Sequence, residues 1–275
     1  HSWMKRGHAF ARCLDAITPC VSVIVLCFNN VAFTRAALRS VAKFSDYANL
    51  EVICVDNAST DETPKFLDAW AKEHPNVTVI INDTNLGFAA GNNVGIKHAK
   101  GDIIILLNND TFVTKGWIRD LIRPLLQNPA YGMVGPITNM IGNEQKIKIN
   151  YANMEEMAAV ARAFTRQHRH KLFDTENLAF FCVAIHRRVI ETVGLLAEEY
   201  GIGFFEDDDY CRRATQAGFK LAVVDDVFVH HHLSGSFDKD PVKKKSLMEQ
   251  NKKIFETKWG PWKPHGYRNS PGFGD

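Results

Sequence analysis

Residues 21–28 read Val-Ser-Val-Ile-Val-Leu-Cys-Phe, an apolar run rich in β-branched side chains that closes on Asn29 and Asn30. A run this short and continuous fits a strand buried on both faces, as in a parallel sheet covered by helices. The flanking chain keeps that reading. Phe33, Ala37, Val41 and Phe44 follow at helical spacing, and residues 51–55 form a second strand ending in Asp56, Asn57, Ala58 and Ser59. Ser59 or Thr60 is placed to cap a helix over 64–73. A third strand at 77–81 leads into a Gly- and Asn-rich helix reaching about Ala99, and a fourth strand occupies 103–107. Such alternation predicts an α/β sandwich with a mostly parallel sheet.

The second half is less regular. The pattern predicts a helix over 117–126 that Pro124 should bend or end, a strand at 133–137 and an aperiodic loop at 138–150. A helix over 154–166, a strand at 180–185, a short helix over 187–193 and a helix over 207–217 closed by Gly218 follow. Residues 221–224 and 227–229 read as two last short strands, and a Lys-rich helix with a Trp-, Pro- and Gly-containing tail begins at Asp238.

With 33 Lys and Arg against 31 Asp and Glu and 45% hydrophobic residues in 275, the composition excludes disordered, fibrous and membrane-spanning classes. A net charge of +2 offers no concentrated basic face for nucleic acid. Six cysteines without a CxxC in a chain this large read as reduced and cytosolic. No leader is visible, and a start at His1 reads as a fragment, with further domains expected in a longer parent chain.

Ligands of an open parallel sheet bind beyond the carboxyl ends of its strands. Asn29 and Asn30, Asp56 and Asn57, Asn85, and Asn108, Asn109 and Asp110 gather at those ends. Neither a GxGxxG nor a GxxxxGK[ST] pattern follows the first strand, so a bound diphosphate needs another source of positive charge. Asp110 can hold Mg²⁺ or Mn²⁺ against phosphate oxygens. Glu206, Asp207, Asp208 and Asp209 place four carboxylates at a helix start, more than capping requires, and crowding raises the proton affinity of one of them. Arg212 and Arg213 lie one turn on. In the run His230, His231 and His232, an extended backbone puts the first and third on one face and His231 on the other.

Together VSVIVLCFNN, VDNAST, NLGFAAGNNVGI, LLNNDTFV, FFEDDDYCRRATQAGFK and VHHHLSGSF resemble the ordered motifs of the inverting family 2 glycosyltransferases, nearest in flavour to the bacterial rhamnosyltransferase-like branch. The resemblance implies a GT-A fold, a single Rossmann-like nucleotide-binding domain, over 20–237. Within it 20–111 would be the nucleotide-sugar half and 112–237 the acceptor half, with 1–19 an extension and 238–275 a Lys-rich helix and tail. It implies that Phe28, Asn29 and Asp56 hold base and ribose, and that Asn85, Gly87 and Asn92 line the path of ribose and diphosphate. The metal-binding acidic motif falls on Asn108, Asn109 and Asp110, departing from the family at Asn108. Asp207 falls on the general base, Glu206 on an orienting acid, and Asp209 and Arg212 on an acceptor or charge network. The downstream metal or diphosphate ligand falls on His231, with His232 next. Another departure, Phe181 and Cys182 before Arg187 and Arg188, either narrows a pocket or is packing.

The implied reaction moves a sugar from a UDP- or dTDP-linked donor to a hydroxyl of a glycan or lipid-linked glycan in surface polysaccharide synthesis, with Mn²⁺ or Mg²⁺. It places the chain in the cytoplasm, and the Lys-rich tail is compatible with work at the inner face of the plasma membrane. The rival readings are a sugar-nucleotide nucleotidyltransferase, against which the missing phosphate loop counts, and a non-catalytic scaffold of the same fold.

Overall fold

The computed structural model describes residues 18–232 and 241–268. The extension before Thr18, the end of the histidine motif at 233–237, the start of the Lys-rich stretch at 238–240 and the tail beyond 268 lie outside the described residues.

Strand β1 (Val21–Cys27) is almost wholly buried because it is central, pairing in parallel with β2 (Leu50–Asp56) and with β4 (Ile103–Asn108). The order of elements is β1, α1 (Val31–Phe44), β2, α2 (Thr63–Glu73), β3 (Val77–Ile81), α3 (Gly87–His98), β4 and β5 (Thr111–Val113). Then come α4 (Trp117–Gln127), β6 (Tyr131–Ile137), α5 (Met154–Gln167), β7 (Leu172–Thr175), β8 (Cys182–His186), α6 (Arg187–Val193), α7 (Glu206–Gln216), β9 (Lys220–His231) and α8 (Pro241–Trp259). Alternate residues of β1 face opposite layers. Val21, Val23 and Val25 pack with Leu38, Trp117 and Leu121, while Ile24 packs with Ile96, Tyr210 and Phe228 on the other side. The result is an α/β sandwich.

Parallel pairing runs through β3, β2, β1 and β4; beyond β4 the sheet becomes mixed, in the order β8, β6, β9, β5. There β8 is antiparallel to β4 and β6, β9 is parallel to β6, and both β5 and β7 are antiparallel to β9. The two short strands expected at 221–224 and 227–229 are one continuous strand. Asp225 and Asp226 lie where its register with β6 jumps from Val224 to Phe228, and there Arg268 reaches Asp225 at 2.8 Å and Arg123 grips Asp226 at 2.8 and 2.9 Å. Pro124 sits inside α4, which ends three residues later. The loop at 138–150 lacks regular structure, yet Asn143 and Gln145 are buried and Gln145 binds the Pro136 carbonyl and the Ala179 N–H.

The Lys-rich helix is no free appendage. Asn251 and Phe255 of α8 are buried against Tyr200, Phe204 and Phe205. No helix among the described residues is long and apolar enough to cross a membrane. Cys20, Cys27, Cys54, Cys182 and Cys211 are all free thiols.

Candidate functional site

The register sets the site, since Cys27 pairs with Asp56 and Leu26 with Asn108, so the polar residues after β1, β2 and β4 share one edge of the sheet. Asn29 and Asn30 follow β1 with φ of 55° and 56°, a left-handed turn that asparagine tolerates better than most residues. The turn lets the Asn29 N–H donate to Ser59 Oγ at 2.7 Å and its Oδ1 accept from the Thr60 N–H at 2.8 Å. Phe28 is half-buried beside them. Asp56 is fully buried; its Oδ2 accepts the Ser59 N–H at 3.0 Å, while Oδ1 has no partner among the described residues. An unpaired buried carboxylate oxygen is costly unless a ligand supplies the donor, as a base N–H or a ribose hydroxyl can.

Asn57 ties the next loop together. Its Nδ2 donates to Asn85 Oδ1 at 2.8 Å and to the Gly87 carbonyl at 3.1 Å, and its Oδ1 accepts from Asn82 and from the Leu86 N–H. Asn85 is thereby a loop staple. Asn92 is buried in α3, donating to the Phe88 carbonyl at 2.9 Å with its own Oδ1 unpartnered among the described residues. Gly87 has a φ of 81°, and a Cβ there would lie 2.1 Å from the Gly201 carbonyl oxygen, so its lack of a side chain allows a close approach of the chain's own backbone.

Beyond β4, Asn109 Nδ2 reaches Thr34 Oγ1 at 2.9 Å and the Asn108 carbonyl accepts the Thr111 hydroxyl at 2.6 Å. The pairing of β5 with β9 sets Thr111 opposite His231, bringing Asp110 Oδ1 to 3.4 Å from His231 Nε2. His231 Nδ1 lies 3.0 Å from the Met140 carbonyl, which can only accept, so Nδ1 carries a proton. Without a second proton the ring would turn its Nε2 lone pair toward the carboxylate. Two facing acceptors require a cation between them, either a ring proton or a metal. Burial raises the Asp110 carboxyl, but the hydrogen bond and charge of His231 prevail and hold it below its ordinary range. Among the described residues no three His, Cys, Asp or Glu side chains form a ready-made cage. One carboxylate and one imidazole would suit Mn²⁺ or Mg²⁺ if phosphate oxygens and water completed the shell.

His230 and His232 lie on the other face, as alternation requires. His230 Nδ1 bonds the Tyr151 hydroxyl, and its Nε2 is 3.2 Å from His232 Nδ1. Burial, then the neighbouring His232, pushes His230 down to about 4.

The acidic helix starts from a strained turn. Phe204 and Phe205 have φ of 74° and 76°, and left-handed backbone at such residues costs about 1–3 kcal/mol each. Asn251 holds the turn, its Nδ2 donating to the carbonyls of Tyr200 at 2.6 Å and Gly203 at 2.7 Å. The four carboxylates of the first turn of α7 then take different roles. Asp209 is buried and saturated by Lys258 at 2.7 Å, Arg213 at 2.8 Å and the Trp259 indole at 2.9 Å. Burial raises it, but these donors hold it below the usual carboxylate range, and no face is left for an acceptor. Asp208 accepts from His265 at 2.8 Å and Asn177 at 2.9 Å. Glu206 is buried with Oε2 unpartnered among the described residues, and burial followed by the Asp207 charge drives it well above its ordinary value. Asp207 is half-buried, and burial, then the charge of Asp208, pushes it up to about 7. A carboxylate titrating near neutrality is suited to accept a proton from a hydroxyl. Arg212 is exposed, while Arg213 takes the structural ion pair.

One stretch joins the two clusters. Asn177 holds Asp208; four residues on, the Phe181 ring stacks on His231 with centroids 5.0 Å apart, and its carbonyl accepts the Asn108 N–H. Four extended residues span at most about 14 Å, so the stretch sets an upper limit on the separation of these main-chain anchors. Phe181 and Cys182 are themselves buried. Tyr151, Asn177, Asn251, Lys258, Trp259 and His265 gave no sequence signal, because each acts through a partner between 31 and 79 positions away.

A profile of glycosyl transferase family 2 matches residues 22–194. Among curated proteins, an uncharacterized protein, y4gI, of Sinorhizobium fredii is 24% identical over 263 residues, 88% of this chain and 28% of that protein. Glycosyltransferase AglE of Haloferax volcanii is 25% identical over 220 residues, 79% of this chain and 68% of its own. Among solved structures, the mannosyltransferase PcManGT of Pyrobaculum calidifontis, in complex with GDP-Man and Mn²⁺, superposes with a TM-score of 0.64 at 21% identity, covering 91% of this chain and 67% of that one. GalNAc-T7 with UDP, GalNAc and Mn²⁺ also gives 0.64, at 18% identity over 78% of this chain, which spans 43% of it. The chain thus spans about a quarter of the first of these curated relatives and under half of the GalNAc-T7 chain. With the match covering well over half of its length and the layered sheet shared with those structures, the chain has the GT-A fold and belongs to glycosyl transferase family 2.

Proposed function

We propose that the chain is the catalytic domain of a metal-dependent, inverting glycosyltransferase of the rhamnosyltransferase-like branch. It would move a sugar from a UDP- or dTDP-linked donor to a hydroxyl of a glycan or lipid-linked glycan in surface polysaccharide synthesis. One observation carries the reading. A carboxylate–imidazole pair suited to a diphosphate-bound cation, Asp110 and His231, is tied by residues 177–181 to an acid helix whose Asp207 titrates near neutrality.

In this reading residues 20–237 form the catalytic domain, with the nucleotide-sugar half in 20–111 and the acceptor half in 112–237. Asn29 and the open oxygen of Asp56 receive the nucleoside, and Asp110 with His231 would hold Mn²⁺ or Mg²⁺, which would supply charge neutralisation at the diphosphate. Asp207 takes the proton of the acceptor hydroxyl as its oxygen attacks the anomeric carbon opposite the leaving group, which inverts that centre. Glu206, whose proton affinity is raised by burial and then by the Asp207 charge, orients the acceptor by hydrogen bonding. The reaction would take place in the cytoplasm, at the inner face of the plasma membrane.

The test is incubation with UDP-, dTDP- and GDP-sugars, with and without Mn²⁺, scoring released nucleoside diphosphate and glycosylated product. Release from one donor, abolished by EDTA and restored by Mn²⁺, is expected. Absence of release from every donor in the presence of glycan acceptors would overturn the activity, and full release in EDTA would overturn the metal.

A further inference from the structure

A cleft of about 680 Å³ opens beside the start of α7, within the size range of ligand sites. One wall is the C-terminal segment 261–266, which lies outside the matched residues 22–194. That wall is fastened at three points. Trp262 packs edge-on against Phe205 with centroids 5.4 Å apart, His265 pairs with Asp208 at 2.8 Å, and Arg268 donates to the Glu144 carbonyl at 2.7 Å. The lining also includes Asn177, whose amide binds Asp208 as well, and Glu144, whose carboxylate accepts the Thr175 hydroxyl at 2.5 Å.

The chemistry of these walls selects among ligands. Glu144, Asp174, Glu176 and Asp208 line the cleft together with Arg212, Lys263 and His265, so carboxylates outnumber basic side chains and a phosphate or diphosphate is disfavoured. Neutral hydroxyls gain instead, since carboxylates accept their protons in charge-assisted hydrogen bonds. Trp262 and Phe255 add apolar surface of the kind that suits the C–H face of a pyranose, and the buried indole N–H of Trp262 has no partner among the described residues. The cleft also adjoins chemistry, because Asp208 is the residue next to Asp207 and its backbone N–H donates to Asp207 Oδ1 at 2.9 Å.

We propose that this cleft is an acceptor subsite, binding a neutral, hydroxyl-rich sugar residue of the acceptor glycan against Asn177, Glu144 and Trp262. The proposal rests on the glycosyltransferase reading for its purpose but not for its chemistry. It assigns the C-terminal segment a part in acceptor choice, and it places any phosphate of a lipid-linked acceptor outside the cleft.

Saturation-transfer NMR on the whole chain tests it, with methyl glycosides of glucose, galactose, mannose, rhamnose and N-acetylglucosamine as probes and inorganic pyrophosphate as competitor. At least one glycoside should bind at millimolar concentration without displacement by pyrophosphate. Trp262→Ala and Asn177→Ala should each weaken that binding about tenfold, the size of one lost hydrogen bond to a charged group or of comparable contact. Should Trp262→Ala fail to fold, Glu144→Gln and Asn177→Ala decide. Binding of no glycoside, binding indifferent to the cleft variants, or displacement by pyrophosphate would each overturn the subsite. A parallel titration with UDP and dTDP in Mn²⁺ separates the two readings. Nucleotide binding without glycoside binding removes the subsite and leaves the glycosyltransferase standing. Glycoside binding without any nucleotide binding leaves a sugar site and removes the transferase.

Discussion

Asp56 and Asp209 are both fully buried carboxylates, yet their surroundings differ in kind. Asp56 ends β2 with one oxygen bound to the Ser59 N–H and the other unpaired. Asp209, in the first turn of α7, is closed by Lys258, Arg213 and Trp259. Burial disfavours a charge equally in either place, and what differs is whether the chain itself supplies the compensating donors. A saturated carboxylate belongs to the scaffold; an open one has kept capacity for something from outside. Asp207 and Glu206 fall on the open side of this comparison, and Asp208 in between, held by His265 and Asn177.

The comparison breaks most visibly at Asp207. Asp207→Asn should reduce turnover by about 10²–10⁴-fold, the range for losing a general base, with UDP or dTDP affinity unchanged. Retained turnover, measured as nucleoside diphosphate release, would move the base elsewhere. Asp209→Ala should act on stability instead, at about 1–3 kcal/mol, because it removes the buried acceptor shared by half-buried Arg213, the Trp259 indole and exposed Lys258. Urea unfolding should show that loss, and a near-neutral result would mean that the Lys258, Arg213 and Trp259 cluster is not cooperative. Asp56→Asn should weaken nucleotide affinity about tenfold, since an amide can present a donor where a ligand donor is expected. Calorimetric titration reads that change, and its melting temperature should stay close to that of the parent.

The smallest effect concerns pH and has opposite signs at the two aspartates. Asp207 is raised in the folded chain, so between its ordinary value of 3.8 and about 7 the folded state holds a proton the unfolded state has lost. Stability therefore falls as pH rises through that window. Asp209 is lowered, so its contribution is present above its ordinary value and is lost as pH falls through the folded one. Asp207→Asn should accordingly melt slightly higher than the parent at pH 8 and match it near pH 4, as thermal scans would show. The same titration should make turnover rise with pH through neutrality, and a flat profile would contradict the base assignment.

Much of the parallel half was legible before any coordinates, because its information is local. Apolar runs of five to seven residues, bounded by Asn and Asp, mark β1, β2 and β4 whatever surrounds them. Short strands escaped: β5 and β7, of three and four residues, exist only through pairing with β9. The two aspartates that split β9 in the sequence pattern are compensated by Arg123 and Arg268, which no periodicity reveals.

The candidate site divides along the same line. Sequence by itself determined the α/β alternation, the gathering of Asn29, Asp56 and Asp110 at strand ends, the acidic start of a helix and the opposite facing of His230 and His231, since all of these depend on neighbours along the chain and on the periods of strand and helix. Tertiary structure alone decided which of four adjacent acids is saturated and which is open, why Gly87 must lack a side chain, which histidine meets Asp110, and that residues 261–266 return to wall a cleft beside α7. Those outcomes depend on donors and backbones brought together from distant parts of the chain, and the energy of a buried charge depends on its whole environment rather than on its place in the sequence.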